Sequence, residues 1–311
     1  MEKKRYLIAL GGNAILAEDP TAEAQQKALE KTAQKLSALI KAGHEVVITH
    51  GNGPQVGNLS LQQVAADSKE NPALPLDSLV AMTQGSIGYW LQQALQNTLN
   101  EEGIDKKILT VLTQVVVDEK DPAFQAPSKP IGPFLTEEEA KDAPESESYK
   151  EDAGRGWRKV VPSPKPCHIV EVEGIQNMLE AGFLTIACGG GGMPVIEKNG
   201  HLEGIEAVID KDFASAKLAE LIEADVFIIL TAVDHAYLHY NEPNQKKIET
   251  VSVEKMEHYI EEGHFASGSM LPKVESVIEF VKHSNKRKAV ITSLDSIEQA
   301  IEGSGGTIII P

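Results

Sequence analysis

Cysteine is nearly absent from this chain of 311 residues. Cys167 and Cys188 are the two present, far apart and in no CxxC pair, which speaks against a disulfide framework or a thiolate zinc site and suits a reducing compartment. Positive charge is scarce as well. Against 46 Asp and Glu stand 29 Lys and Arg, a net charge of -17 at pH 7. Such a surface repels nucleic acid and anionic membranes, so neither is expected as a partner. It repels phosphorylated substrates too, so any anion site has to be locally positive, built from a few lysines and backbone N–H groups. Long apolar runs are missing. After Lys3-Lys4-Arg5 comes only the short run Tyr6 to Leu10. A signal peptide needs more, and a membrane span needs roughly 20 apolar residues. The expectation is a cytoplasmic protein. Common catalytic signatures are lacking: there is no GxxxxGK[ST] loop, HExxH, GxSxG or protein-kinase catalytic loop. Gly51-Asn52-Gly53-Pro54-Gln55-Val56-Gly57 approaches GxGxxG, but Val56 stands where the last glycine belongs.

What remains is the composition of an ordinary globular enzyme, 41% hydrophobic and 24% charged, long enough for one large domain or two lobes. Short apolar runs alternate with helical patterns. Tyr6–Leu10, Glu45–Thr49, Ile108–Leu112, Thr185–Ala187, Val226–Leu230, Ala289–Ile291 and Thr307–Ile310 read as strands. Leu29, Ala33, Leu36 and Ile40 share a helical face, as do Val274, Val277, Ile278 and Val281. The alternation predicts an α/β fold with a mostly parallel sheet covered by helices on both faces, whose ligands bind at the carboxyl ends of the strands. One segment interrupts it. Residues Lys120 to Pro166 hold eight of the sixteen prolines and are too long for an ordinary connection. They read either as a disordered surface insertion or as a small subdomain or lid; the apolar Ile131, Phe134, Leu135 and Trp157 favour the lid.

Four glycine-rich segments follow apolar runs: Gly11-Gly12-Asn13, Gly51–Gly57, Gly189–Gly192 and Gly268-Ser269-Met270. Glycine lets the backbone approach a ligand and aim N–H groups at it, and a helix starting just beyond adds the positive end of its dipole. Each alone could be a plain strand-to-helix turn. Together they suggest a site crossed by a polyphosphate. Lys211, in Val208-Ile209-Asp210-Lys211-Asp212, and Lys273, in Gly268-Ser269-Met270-Leu271-Pro272-Lys273, could supply compact positive charge for a migrating phosphoryl group. Taken singly, each lysine reads as a solvated surface residue, and Asp212 as either a helix N-cap or a functional group.

Ile8-Ala9-Leu10-Gly11-Gly12-Asn13-Ala14 resembles the opening of the amino acid kinase family. Gly51–Gly57, Cys188-Gly189-Gly190-Gly191-Gly192, Val208–Asp212 and Gly268–Lys273 resemble the carbamate kinase branch of that family. The proline-rich insertion around Lys129 is similar to the protruding subdomain of that branch, so the resemblance covers essentially the whole chain. It implies an open three-layer α/β/α sandwich with a mainly parallel central sheet and a small protruding subdomain. The chain would be a single amino acid kinase domain over residues 1–311, with 120–166 as an inserted, lid-like subdomain. The implied reaction is reversible phosphoryl transfer between ATP and carbamate, giving ADP and carbamoyl phosphate, run toward ATP in arginine catabolism through the deiminase pathway.

Carried over by motif, Gly11, Gly12, Asn13, Gly51, Asn52 and Gly53, with Gly190 and Gly191, would surround the phosphoryl and carbamoyl groups. Lys129, Lys211 and Lys273 would balance charge, and Asp212 would orient the lysines. Thr231, Ala232, Val233, Asp234, Tyr237 and Tyr240 would hold the adenosine, with Lys211, Gly268, Ser269, Met270 and Lys273 on the nucleotide side. Many relatives have glycine after that aspartate, where this chain has His235. Mg²⁺ would arrive with ATP or ADP, with no metal held by the protein itself, and the resemblance implies a homodimer. Carbamate is already an anion at neutral pH, so its attack needs no general base; it needs relief of repulsion and in-line positioning. Two alternatives stay open: another kinase of the family, acting on N-acetylglutamate or UMP, or a non-catalytic sensor of carbamoyl phosphate or nucleotide.

Overall fold

The computed structural model describes residues 3–15, 19, 21–143, 147–151 and 156–311. Its central sheet has eight strands: β1 (Arg5–Leu10), β2 (Glu45–His50), β3 (Ile108–Thr110), β4 (Leu184–Ile186), β5 (Val226–Thr231), β6 (Thr250–Ser252), β7 (Lys288–Ser293) and β8 (Thr307–Ile310). Across the sheet they run β6-β8-β7-β5-β1-β2-β4-β3, and every neighbouring pair is parallel except β7 with β8. The run Ile108–Leu112 gives a shorter strand than expected, because Leu112 turns outward and is exposed.

Side chains alternate across this sheet, and both faces are apolar, as a doubly covered parallel sheet requires. Leu7, Ala9, Val47, Phe227 and Ile229 belong to one core, Tyr6, Ile8, Leu10, Ile48 and Ile228 to the other. The longer helices are α1 (Ala22–Lys41), α2 (Gly53–Ala66), α3 (Leu76–Glu101), α4 (Val172–Glu180), α5 (Lys211–Leu221), α6 (Val253–Glu261), α7 (Met270–Val281) and α8 (Ile297–Glu302). Ile175, Leu218, Met256 and Val277 bring α4, α5, α6 and α7 onto the first core. Leu36, Leu95 and Ile297 bring α1, α3 and α8 onto the second. Each fully buried Leu, Ile or Phe there contributes about 1.5–3 kcal/mol. The result is the expected three-layer α/β/α sandwich. None of the described helices is long and apolar enough to cross a membrane.

Within residues 120–166 a separate antiparallel sheet stands out as an arm, with strands Lys129–Leu135, Trp157–Val161 and Ser148–Glu151. Its short helix Glu137–Lys141 is started by a capping box: Thr136 accepts from the Glu139 amide at 3.2 Å, and the Glu139 carboxylate accepts from the Thr136 amide at 2.7 Å. The arm leans on α2, backbone against backbone. A Cβ added at Gly57 would lie 2.0 Å from the Gly132 Cα, so only glycine permits this approach.

Candidate active site

The amino ends of α5 and α7 converge on one group of charges. Asp210 caps α5, its Oδ1 accepting from the Asp212 amide at 2.8 Å. Asp212 is therefore not the cap; it sits inside the first turn, with a side chain only 3% exposed. One of its oxygens takes the Lys211 ammonium and the other the Lys273 ammonium, the latter at 3.0 Å. Asp210 Oδ2 meets Lys129 Nζ at 2.5 Å, so the arm reaches the same cluster. Burial opposes ionisation of Asp212, but Lys211 and Lys273 outweigh it and hold its carboxyl below the usual range. Lys129 does the same for Asp210, also against burial. Lys211 is pulled below the ordinary lysine range by burial. Lys273 is carried above it, because Asp212 and Asp210 override its desolvation. Three lysines facing two aspartates, with the positive ends of two helices, make a locally positive site in an acidic chain.

Two cavities flank Asp212. The smaller, about 260 Å³, is walled by backbone and charge: Gly12, Gly51, Gly53, Lys129, Arg158 and Lys211 line it. Asn52 lines it too, buried and donating to Thr83 Oγ1 at 2.9 Å. Gly190 has φ +66° and lies so close that a Cβ there would meet the Asn52 amide at 2.2 Å. Beneath them the buried His50 ring holds Nδ1 at 2.8 Å from the Gly51 carbonyl, which can only accept, so that nitrogen carries the proton. Burial drops the His50 pKa to about 4, so the ring is neutral at neutral pH. The larger cavity, about 600 Å³, is walled by side chains of Thr231, Val233, Tyr237, Tyr240, Met270 and Lys273, with Ala232 and Ser269 beside them. Lys211 lines the first cavity and Lys273 the second, and Asp212 grips both. Two cavities so placed suit a polyphosphate in the larger whose last phosphoryl group meets a small anion in the other.

Residues 4–293 match the amino acid kinase family. The chain belongs to that family. It is 58% identical to carbamate kinase 1 of Enterococcus faecium over 295 residues, 94% of each chain. It is 54% identical to the carbamate kinase of Oenococcus oeni over 99% of each. Among solved structures, the carbamate kinase of Giardia lamblia bound to AMP-PNP superposes with a TM-score of 0.91 at 42% identity, covering 99% of this chain and 98% of that one.

For a member of the amino acid kinase family, the remaining sequence candidates fall into place unevenly. Gly11 lies buried under the Leu230 carbonyl and Gly191 against that of Ile209, both behind the walls of the small cavity. Asn13 lies in the helical turn Gly12–Ile15, and its side chain is outside the described residues. Asp234 does not line the large cavity itself; it accepts from the hydroxyl of Tyr237, which does, at 2.6 Å, and this pushes that phenol up to about 12. Gly268 lines the small cavity, not the large one. Two glycine segments also sit differently from expectation: Gly189–Gly191 leads into the strand Met193–Lys198 rather than a helix, and Gly268 follows α6 rather than a strand. Three residues were missed. Asp210 stood within a quoted motif. Arg158 belongs to the arm and left no local signal; its Nε donates to the Gly132 carbonyl at 2.9 Å. His50 is the last residue of β2, one position beyond the run Glu45–Thr49 read from the sequence. Among the described residues no group of three or more His, Cys, Asp or Glu stands together to hold a metal.

Proposed function

We propose that the protein is a carbamate kinase, interconverting MgATP plus carbamate with MgADP plus carbamoyl phosphate. One observation carries this reading: Lys211, Asp212 and Lys273 bridge a nucleotide-sized cavity and a much smaller one. The nucleotide occupies the large cavity, with Tyr237 and Tyr240 toward the adenosine and its phosphates running past Ser269 and Met270 to Lys273. The carbamoyl group occupies the small cavity. A carbamate oxygen attacks the terminal phosphorus, the bond from phosphorus to the ADP oxygen breaks, and no proton has to move. Lys211, Lys273 and the amino ends of α5 and α7 neutralise the charge that spreads over the phosphoryl oxygens. Lys129 supplies charge on the carbamoyl side. Residues 120–166 act as a lid that keeps water from an acceptor too small to be gripped by remote contacts. Mg²⁺ enters as part of the nucleotide substrate. Asp210 and Asp212, the carboxylates nearest the junction, are engaged by lysines, which fits an ion that rides on phosphates.

The reading extends to a cytoplasmic homodimer working toward ATP in arginine catabolism. The edge strand β3 and the exposed Met82, Tyr89 and Leu112 support a self-association surface, and sedimentation tests it. The decisive experiment is coupled ADP phosphorylation from carbamoyl phosphate, run beside acetylglutamate and UMP phosphorylation. ATP formation from carbamoyl phosphate alone, abolished by a chelator, is expected. Faster phosphorylation of acetylglutamate or UMP would overturn the reading.

A further inference from the structure

The arm is joined to the body at its root, and the root is fastened by contacts the reaction itself does not require. Asp121 sits where the chain enters the arm. Its Oδ1 accepts from the Ala123 amide at 2.8 Å and its Oδ2 from the Lys165 amide at 2.9 Å, so one carboxylate ties the incoming segment to the outgoing one. The Lys165 ammonium then lies 2.8 Å from the centroid of the Phe213 ring, the residue directly after Asp212 in α5. Burial lowers the basicity of that ammonium, and the negative charges of Glu275 and Glu279 of α7, Asp210 and Asp121 act on it in the opposite direction. Below it, the Val208 amide donates to the Pro162 carbonyl at 3.0 Å, fixing the outgoing segment to the residues that lead into Asp210. Pro162, Pro164 and Pro166 limit how this segment can bend. The root is thus attached to α5, and the carboxylates of α7 act on Lys165 through their charge. Val161, four residues before Lys165, pairs with Lys129 across the arm's sheet.

We propose that Asp121 and Lys165 are positioning residues for Lys129: with Phe213 they clamp the root of the arm to α5 and so fix where the Lys129 ammonium stands. A cation over an aromatic face is attracted without needing a single hydrogen-bond direction, which suits a clamp that must hold the root while the arm above it moves. The inference rests on the reading of Lys129 given under Proposed function.

Steady-state kinetics on Lys165→Met, Lys165→Arg, Asp121→Asn, Lys129→Ala and the Lys165→Met/Lys129→Ala double variant test it. Lys165 is exposed, so these chains keep their core. Lys165→Met and Asp121→Asn are expected to raise KM for carbamoyl phosphate about tenfold and leave KM for MgADP within about twofold. Lys165→Arg, which restores a cation to the ring, stays near wild type. In the Lys129→Ala background Lys165→Met adds less than about twofold, because two residues acting through one group are not additive. Hydrogen exchange in Lys129–Leu135 rises about tenfold in Lys165→Met while that of β1 is unchanged. A wild-type KM in Lys165→Met, beside a raised KM in Lys129→Ala, overturns the clamp alone. Full additivity in the double variant, or an Arg variant no better than Met, overturns it as well. An unaffected Lys129→Ala enzyme instead removes the reading of Lys129 on which the clamp depends.

Discussion

The two cavities that meet at Asp212 are made of different material. The large one is bounded by side chains, several aromatic, borne on the loop after β5, the hairpin beside it and the start of α7. The small one is bounded by glycine backbone and by side chains that end in charge. A nucleoside presents rings and area, so contact with Tyr237, Tyr240 and Met270 can recognise it. Carbamate presents three heavy atoms besides its carbon, so recognition has to come from fixed dipoles and ammonium groups placed close around it. The second kind of wall tolerates far less change than the first.

The largest effect should come at the junction, where both cavities are served at once. Lys211→Ala and Lys273→Ala are each expected to lower kcat by roughly 10²–10³, the scale of losing one donor aimed at a transition state. Either chain should fold, since Asp212 keeps its other lysine. Asp212→Ala should also lose about 3–5 kcal/mol of stability in denaturant titration, because two largely buried lysines lose their shared partner. A Lys273→Ala enzyme with kcat within twofold of wild type would dissolve the junction as the meeting point.

Next comes the floor of the small cavity. His50 has its folded pKa near 4 against an ordinary 6.5, so between those values the unfolded chain binds more protons. Stability due to the neutral ring is complete above pH 6.5 and falls as the pH drops toward 4, by about 3 kcal/mol in all. Unfolding midpoints of wild type and His50→Gln, followed from pH 7 to 4, should show that slope flattened in the variant. Parallel slopes would take His50 out of the acid sensitivity.

Smaller again is the effect expected at the arm. Gly57→Ala places a methyl carbon into the Gly132 backbone. The arm must shift, so KM for carbamoyl phosphate should rise about tenfold with KM for ADP and the melting temperature nearly unchanged. Lys129→Ala should give a similar rise, again sparing ADP. Equal losses for both substrates would mean that the two walls are not independent. The smallest effect is expected at the large cavity, where Tyr240 is half exposed. Tyr240→Ala should raise KM for ADP about fivefold and leave the carbamoyl phosphate KM alone.

Much of this was legible in the chain because it is local. Asp210, Lys211 and Asp212 are adjacent, Lys273 follows its glycine by a few residues, and the alternation of apolar runs dictated a two-faced sheet. What stayed hidden depends on distance. Arg158 reaches the small cavity because antiparallel pairing sets Trp157–Val161 beside Lys129–Leu135, a register that no local pattern in the proline-rich stretch announces. The low basicity of His50 arises from the glycine turn Gly189–Gly191 packed on its ring, more than 130 residues away. Asp234 shows a partner that the motif did not announce: it accepts from the hydroxyl of Tyr237, three residues on. The proline content of 120–166 was equally compatible with disorder, and the paired strands there rest on a glycine-to-glycine contact with α2.

The ion pair between Lys129 and Asp210 has a kinetic meaning. Asp210 is the resident counter-ion of Lys129. On the reading proposed above, an incoming carbamoyl phosphate would not meet a bare ammonium; it would have to displace that carboxylate. Attraction is therefore an exchange rather than a net gain, and it is smaller than the charge alone suggests.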